Sequence, residues 1–161
     1  MKGIINFYKP ENMTSHDAVN ILRRLTGIKR IGHTGTLDPN VTGVLPLCIG
    51  KATRVSEYVL EANKEYVGEL TLGSKTTTQD KDGDIIDQSD IRVTEEEIIE
   101  TFKSFEGEIT QIPPMYSAVR HKGKRLYDLA RDGVVVERKP RKAIIYELEI
   151  LSIKDNKIMF R

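Results

Sequence analysis

The stretch GHTGTLDPNVTGVLPLCIGKATR, residues 32–54, holds the residues whose types and spacing could carry chemistry. One carboxylate, Asp38, stands between two threonine–glycine turns, is followed at once by Pro39, and has no nearby group to neutralise it. Two phosphate-binding chemistries can be tested by counting. A P-loop needs G-x-x-x-x-G-K-[ST], but counting back from Gly50-Lys51 puts Leu45 where the first glycine belongs, and Ala52 follows the lysine. A dinucleotide fingerprint needs G-x-G-x-x-G, and the glycines at 32, 35 and 43 have other spacings. No Cys/His cluster has the spacing of a zinc site, and the single Cys48, in an apolar run, has no partner for an internal disulfide. On residue types alone, Asp38-Pro39 also reads as an ordinary turn in which Gly32, Gly35 and Gly43 relieve backbone strain.

The elements that must position this stretch follow from periodicity and punctuation. GIINFYKP reads as a strand ended by Pro10, and Thr14 with Asp17 forms a capping box that opens the helix SHDAVNILRRLTG. The spacing predicts an apolar face of Ala18, Ile21, Leu22 and Leu25 packed on a sheet, with Arg23 and Arg24 off the stripe and Gly27 as a left-handed stop. VTGVLPLCIG reads as a short buried strand, ATRVSEYVLEA as a helix, and KEYVGELTLGS as a half-buried strand alternating Tyr66, Gly68, Leu70 and Leu72. KTTTQDKDGDIIDQSD is a polar loop or ribbon, and Thr94 with Glu97 caps a helix over VTEEEIIETFKSFEG. RKAIIYELEILSI is one long β-type run, KDNK a hairpin turn, and IMFR a returning strand cut short, which leaves an unpaired edge and marks a fragment or truncated product.

A chain of 161 residues suits a single domain. The net charge of +1 hides an uneven distribution. Residues 1–63 hold 8 basic against 5 acidic side chains, residues 64–112 hold 5 against 13, and residues 113–161 hold 12 against 6. Two basic segments thus flank an acidic middle, and a polyanion binds if the fold joins the basic ones; solvated faces of ordinary composition are the plainer alternative. The N-terminus lacks a signal-peptide h-region and no apolar run approaches the roughly 18 residues of a membrane span, so a cytoplasmic protein is expected.

The stretch around Asp38 resembles the signature of the TruB family of tRNA pseudouridine synthases, G-H-x-G-x-L-D-P followed by G-x-L-P and G-x-A-T. Three further stretches are similar to that family in the same order. FYKPENMTSHDAV matches its K-P-x-x-x-T-S segment, and KEYVGELTLGSKTTTQDKDG its K-x-Y strand and T-x-x-D-x-D-G loop. IPPMYSAVRHKGKRLYDLARDG matches its P-P-x-x-S-A segment, which ends in Y-x-x-A-R. The resemblance implies an α+β pseudouridine synthase fold, a mixed, mostly antiparallel sheet flanked by helices and loops. It implies that Asp38 is the nucleophile that adds to the target uridine, with neither metal nor cofactor required, and that Tyr66 stacks on the extruded uracil and takes part in proton removal at carbon 5.

Other roles come from the same resemblance. His33 helps displace the target base, Thr36 contacts substrate, Asp80 pairs with a catalytic arginine, and Lys9 and Pro10 support the active-site loop. Arg120, Lys122, Lys124 and Arg125, with Arg131, belong to a basic RNA-clasping insertion at about 112–140. On residue type alone, Tyr66 also suits core filling, His33 a surface turn and Asp80 a solvated loop; Leu126, Tyr127, Leu129 and Ala130 equally form the inner side of an amphipathic helix. The implied partner is the T-arm of tRNA, bound by a monomer, with the target uridine in the TΨC loop (position 55). Guide-RNA-dependent dyskerin-type relatives are the nearest alternative in the superfamily, and a non-catalytic module gripping the T-arm is the alternative outside it. The family's K-G-x-Y-I-R segment and its C-terminal RNA-binding domain have no match in residues 1–161, so these residues alone are expected to be inactive or impaired.

Overall fold

A computed structural model describes residues 1–117 and 119–161, and the chain divides into two units, Met1–Lys64 and Glu65–Arg161. Ala118, inside the matched IPPMYSAV stretch, lies outside the described residues.

In the first unit, β1 (Gly3–Lys9) ends where Pro10, lacking an amide hydrogen, cannot continue a ladder. Helix α1 (Ser15–Thr26) opens on the expected box: Thr14 Oγ1 accepts from the Asp17 amide at 3.1 Å, and the Asp17 carboxylate accepts from the Thr14 amide at 2.9 Å. The Thr14 hydroxyl also donates to that carboxylate at 2.5 Å, and this bond first, then the one from the Thr14 amide, hold the Asp17 carboxyl below its ordinary range. Gly27, at φ 68°, ends the helix with its N–H on the Arg23 carbonyl. The buried stripe differs from the predicted one. Ser15, Ala18 and Val19 are buried and Leu22 half-buried, whereas Leu25 is 78% exposed. The i, i+3, i+4, i+7 series starts at Ser15 because its hydroxyl faces a loop that the helix must hold, which turns Leu25 outward.

Strands β2 (Ile31–His33) and β3 (Gly43–Ile49) complete a three-stranded antiparallel sheet in the order β1-β3-β2. Gly3, Ile49 and Ile31 share one row, and Lys9 pairs Gly43 near the other end. α1 packs on this sheet through a core of Ala18, Val19, Ile31, Leu45, Leu47 and Ile49, joined by Phe7, Leu22 and Leu37. Cys48 is buried, which pushes its thiol pKa up. The helix expected over ATRVSEYVLEA is a 3-10 segment, Gly50–Val55, followed by the short α2 (Ser56–Glu61). Gly50 is required there: its φ is +60°, and a Cβ would stand 2.8 Å from the Met1 carbonyl oxygen.

In the second unit, β4 spans only Gly68–Thr71, so Tyr66 precedes the strand and does not alternate within it. β5 (Ser74–Thr76) and β6 (Ile85–Gln88) form a two-stranded ribbon, and α3 (Glu95–Ser104) starts on the Thr94–Glu97 box. β7 (Gly107–Gln111) is followed by the small pair β8 (Arg120–His121) and β9 (Lys124–Arg125), then α4 (Leu126–Arg131) and β10 (Arg141–Ile145), which pairs with β7.

The predicted long run near the C-terminus is two strands in two sheets, β10 and β11 (Ile150–Lys154). A tight Asp155-Asn156 turn then leads into β12 (Lys157–Phe160), and the expectation of an unpaired edge is overturned. β12 is the central strand of the order β11-β12-β4, pairing Ile158 with Leu70 and Phe160 with Gly68. Its missing partner was simply far away in sequence. Ile158 is fully buried, worth roughly 1.5–3 kcal/mol. Phe160 lies over Gly68 and meets Phe102 edge-on at 5.9 Å, while Arg161 and Glu149 exchange two backbone hydrogen bonds and an ion pair.

Candidate active site

Between Asp17 and Glu57 the sequence holds a single carboxylate, Asp38. It is exposed in the loop joining β2 to β3, and the residues on both sides of it are tied to other elements. Upstream, buried Thr34 donates its amide to the Pro46 carbonyl at 3.1 Å and its hydroxyl to the same oxygen at 3.3 Å. Immediately before Asp38, the Leu37 amide donates to Ser15 Oγ at 2.9 Å, and that hydroxyl donates to the Leu37 carbonyl at 3.1 Å. The Leu37 side chain is packed on the core and fills the space beside Gly43, where a Cβ would come within 3.3 Å of it.

Immediately after Asp38, the Pro39 carbonyl accepts from Lys9 Nζ at 3.3 Å. Lys9 has no exposed surface, and its ammonium also donates to the carbonyls of Pro10 and Met13, each at 2.8 Å. Three donors thus meet three acceptors, which is the full hydrogen-bonding capacity of an ammonium group and offsets the cost of burying it. The outcome is an exposed carboxylate on a backbone held from both sides by buried side chains. Such an arrangement can present an oxygen nucleophile or a base to a ligand with little orientational entropy left to lose.

His33 ends β2, opposite Leu47, and its Nδ1 is buried with no hydrogen-bond partner among the described residues. Thr36 is exposed in the same loop as Asp38. The register puts Lys9 at one end of the three-stranded sheet, with Pro10 and the loop that carries Thr36 and Asp38 beside it, while His33 shares the row of Leu47 and Ile5 further along the sheet. Ser15 and Thr34 were not picked out from the sequence. The available signal was a serine at an otherwise apolar position of the α1 stripe, since a buried hydroxyl implies a partner.

The other candidates belong to the second unit. Tyr66 is 66% exposed and its ring is not core filling. Asp80 sits in the β5–β6 turn, where its carboxylate accepts from the Thr78 hydroxyl at 2.6 Å and the Asp82 amide at 2.9 Å. Arg120, Lys122, Lys124 and Arg125 lie on the β8–β9 hairpin, all exposed. Residues 112–140 leave and return through a paired base, β7 with β10, where the Arg141 guanidinium donates twice to Gln111 Oε1 at 2.9 and 2.7 Å. Leu126 of α4 is buried, while the exposed Arg125 and Arg131 flank the Tyr127 ring at 5.6 and 5.5 Å. The hairpin charges and the amphipathic helix coexist in successive elements. Among the described residues no group of His, Cys, Asp and Glu could hold a metal ion, and no helix is long and apolar enough to cross a membrane.

Comparison with known proteins places this geometry in a family. The chain is 52% identical over 160 residues to tRNA pseudouridine synthase B of Alkaliphilus oremlandii, covering 99% of the chain and 54% of that protein. It is 54% identical over 157 residues to the protein of the same name from Geobacillus thermodenitrificans, covering 96% and 52% respectively. The chain spans about half the length of the curated relatives it matches. Among solved structures it resembles a chain of a Cbf5-Nop10-Gar1 complex with a TM-score of 0.70 at 34% identity, over 98% of this chain and 38% of that one. A second, an H/ACA RNP bound to a substrate RNA containing 2'-deoxyuridine, gives 0.66 at 31%, over 98% and 36%. The mixed α+β architecture is thus that of pseudouridine synthases. The family model for the N-terminal domain of TruB family pseudouridylate synthases matches residues 23–161, and the chain belongs to the TruB family.

Proposed function

We propose that this chain carries the nucleophile and substrate-gripping elements of a tRNA pseudouridine synthase that isomerises the TΨC-loop uridine. The observation that carries the reading is the double tether on the residues flanking Asp38, Ser15 on Leu37 and Lys9 on Pro39. A turn needed only to reverse the chain has no use for a buried lysine and a buried serine aimed at its backbone, with the carboxylate between them left exposed.

In the proposed reaction Asp38 attacks the target nucleotide and forms a covalent bond to it. The glycosidic bond from N1 breaks, the uracil turns, and carbon 5 bonds to the sugar carbon that N1 left. The proton on carbon 5 is then lost, a step to which Tyr66 is assigned, N1 gains a proton, and the carboxylate is released. Atoms and electrons balance without any redox change. The exposed Tyr66 ring suits stacking on an extruded base, and the His33 imidazole, near the nucleophile loop, suits a role in displacing that base from its stack. Asp80 is assigned to holding an arginine, and Thr36, Arg120, Lys122, Lys124 and Arg125 to the RNA, whose phosphates the hairpin charges meet.

The test replaces Asp38 in the full protein. Asp38→Asn abolishes pseudouridine formation on a T-arm stem-loop while RNA affinity stays within about threefold, since removing one charge beside RNA phosphates does not weaken a phosphate-driven complex. Turnover by Asp38→Ala would remove Asp38 from its role.

A further inference from the structure

The end of the first unit's sheet opposite Asp38 is a cluster of positive charge that the reading above does not use. Beyond the row Gly3, Ile49 and Ile31 lie three chain segments: residues 1–2, residues 27–30, and the 3-10 turn Gly50–Val55. They carry Lys2, Lys29, Arg30, Lys51 and Arg54, and the last turn of α1 adds Arg24; all six are exposed. None of these segments contains a carboxylate, and the three ion pairs among the described residues all lie in the second unit.

Two features distinguish this cluster from a solvated face. Its segments are fastened to each other: the Gly50 amide donates to the Arg30 carbonyl at 2.8 Å, and Arg30 Nε donates to Thr53 Oγ1 at 2.7 Å, which leaves the rest of that guanidinium outward. Helix-end compensation accounts for few of the charges. Arg23, on α1, is spent on the carbonyls of Lys29 and Ile31, while Lys2, Lys29, Arg30, Lys51 and Arg54 lie off the helix. Like charges gathered on a fixed framework repel one another, and a bound polyanion relieves that repulsion.

The cluster stands well away from Asp38 along both elements that join them. β3 starts beside the Asp38 loop and ends at the cluster, seven residues that span about 20 Å. α1 gives the same answer independently: Ser15 in its first turn holds Leu37, Arg24 lies in its last, and its 12 residues span about 18 Å. From these observations, and resting on the reading of the chain as a tRNA-modifying enzyme, we infer that the cluster is a second RNA contact, which binds backbone phosphates of the tRNA outside the stem-loop that holds the target uridine.

The test compares two RNAs, a whole tRNA and its isolated T-arm stem-loop, with the full protein carrying Arg24→Gln, Lys29→Gln and Lys51→Gln. Arg30 is spared because its side chain joins two segments. Affinity for whole tRNA is expected to fall about tenfold near 0.1 M salt, with the slope of log affinity against log salt shallower by about two units. Affinity and turnover on the stem-loop stay within about twofold, which also reports an intact fold. An equal loss on both RNAs, or no loss on either, overturns the inference. If the triple variant loses stem-loop turnover, the pair Lys29→Gln and Lys51→Gln carries the same comparison, with a slope change of about one unit. Failure of the underlying reading shows separately, as wild-type protein that binds both RNAs and turns over neither.

Discussion

Lys9→Met is the sharpest perturbation of the proposed site, because it keeps the length and apolar stem of the side chain and deletes only the ammonium. Three bonds are lost, to the carbonyls of Pro10, Met13 and Pro39. Hydrogen bonds from a charged group are each worth about 1.5–3 kcal/mol net, but Pro10 and Pro39 are exposed residues whose carbonyls can recover water, and the penalty for burying an ammonium disappears with it. The net loss of stability is therefore about 1–3 kcal/mol, well below the simple sum. The effect on turnover is larger than stability suggests. Releasing Pro39 lets the carboxylate stray, and a misplacement of about 1 Å costs on the order of a hundredfold in rate. Urea unfolding of the full protein measures the first quantity, and single-turnover kinetics on a T-arm stem-loop the second, with the loss expected in the rate of the chemical step and not in RNA affinity. Lys9→Arg does not rescue the rate, since a planar guanidinium cannot reach three converging carbonyls from inside the core. A Lys9→Met protein as fast as wild type would refute the tether as the source of Asp38 positioning.

Two further expectations concern stability. The Asp17 carboxyl is held below its ordinary pKa by the Thr14 hydroxyl and amide, so its contribution is complete above the unfolded carboxyl pKa of about 4 and is lost as the pH falls through the lower folded value; the stability gap between wild type and Asp17→Asn, measured by urea unfolding, should close on acidification over that window. Gly83→Ala places a Cβ 2.3 Å from Thr78 Oγ1 and 2.7 Å from the Thr78 amide nitrogen, so the turn that holds Asp80 must open, seen as faster hydrogen exchange at the Thr77 amide, now bonded to the Asp84 carbonyl.

Local chemistry was legible in the sequence and long-range pairing was not. Both capping boxes, the Gly27 stop and the Pro10 strand end are decided within four residues, and each stands as read. The Leu25 error has a tertiary cause: which side of α1 turns inward is set by the Leu37 backbone, which comes from another segment. The edge expected at β12 has the same origin, because its partner β4 lies almost ninety residues earlier, in a segment whose own strand is only four residues long. At the candidate site, Asp38 stood out by isolation and by family pattern, but its tethers could not be read from the loop. Ser15 and Lys9 reach it from α1 and β1, and a lysine that ends a strand looks like an ordinary surface charge until its burial is known.

That burial bears on why a lysine is used at all. A carboxylate beneath the loop could also have held backbone amides, but it would have placed a second negative charge under Asp38 in a stretch that otherwise has none. A free surface lysine would have brought a positive charge, yet its mobile ammonium could also have paired with Asp38 and occupied the oxygen that the proposed reaction uses. Lys9 avoids both outcomes. Its three donors are already committed to backbone carbonyls, so it fixes the residue next to Asp38 without hydrogen-bonding Asp38 itself. A cation that holds the loop and cannot pair with the carboxylate leaves that group positioned and exposed, which is the combination a nucleophile on a folded RNA needs.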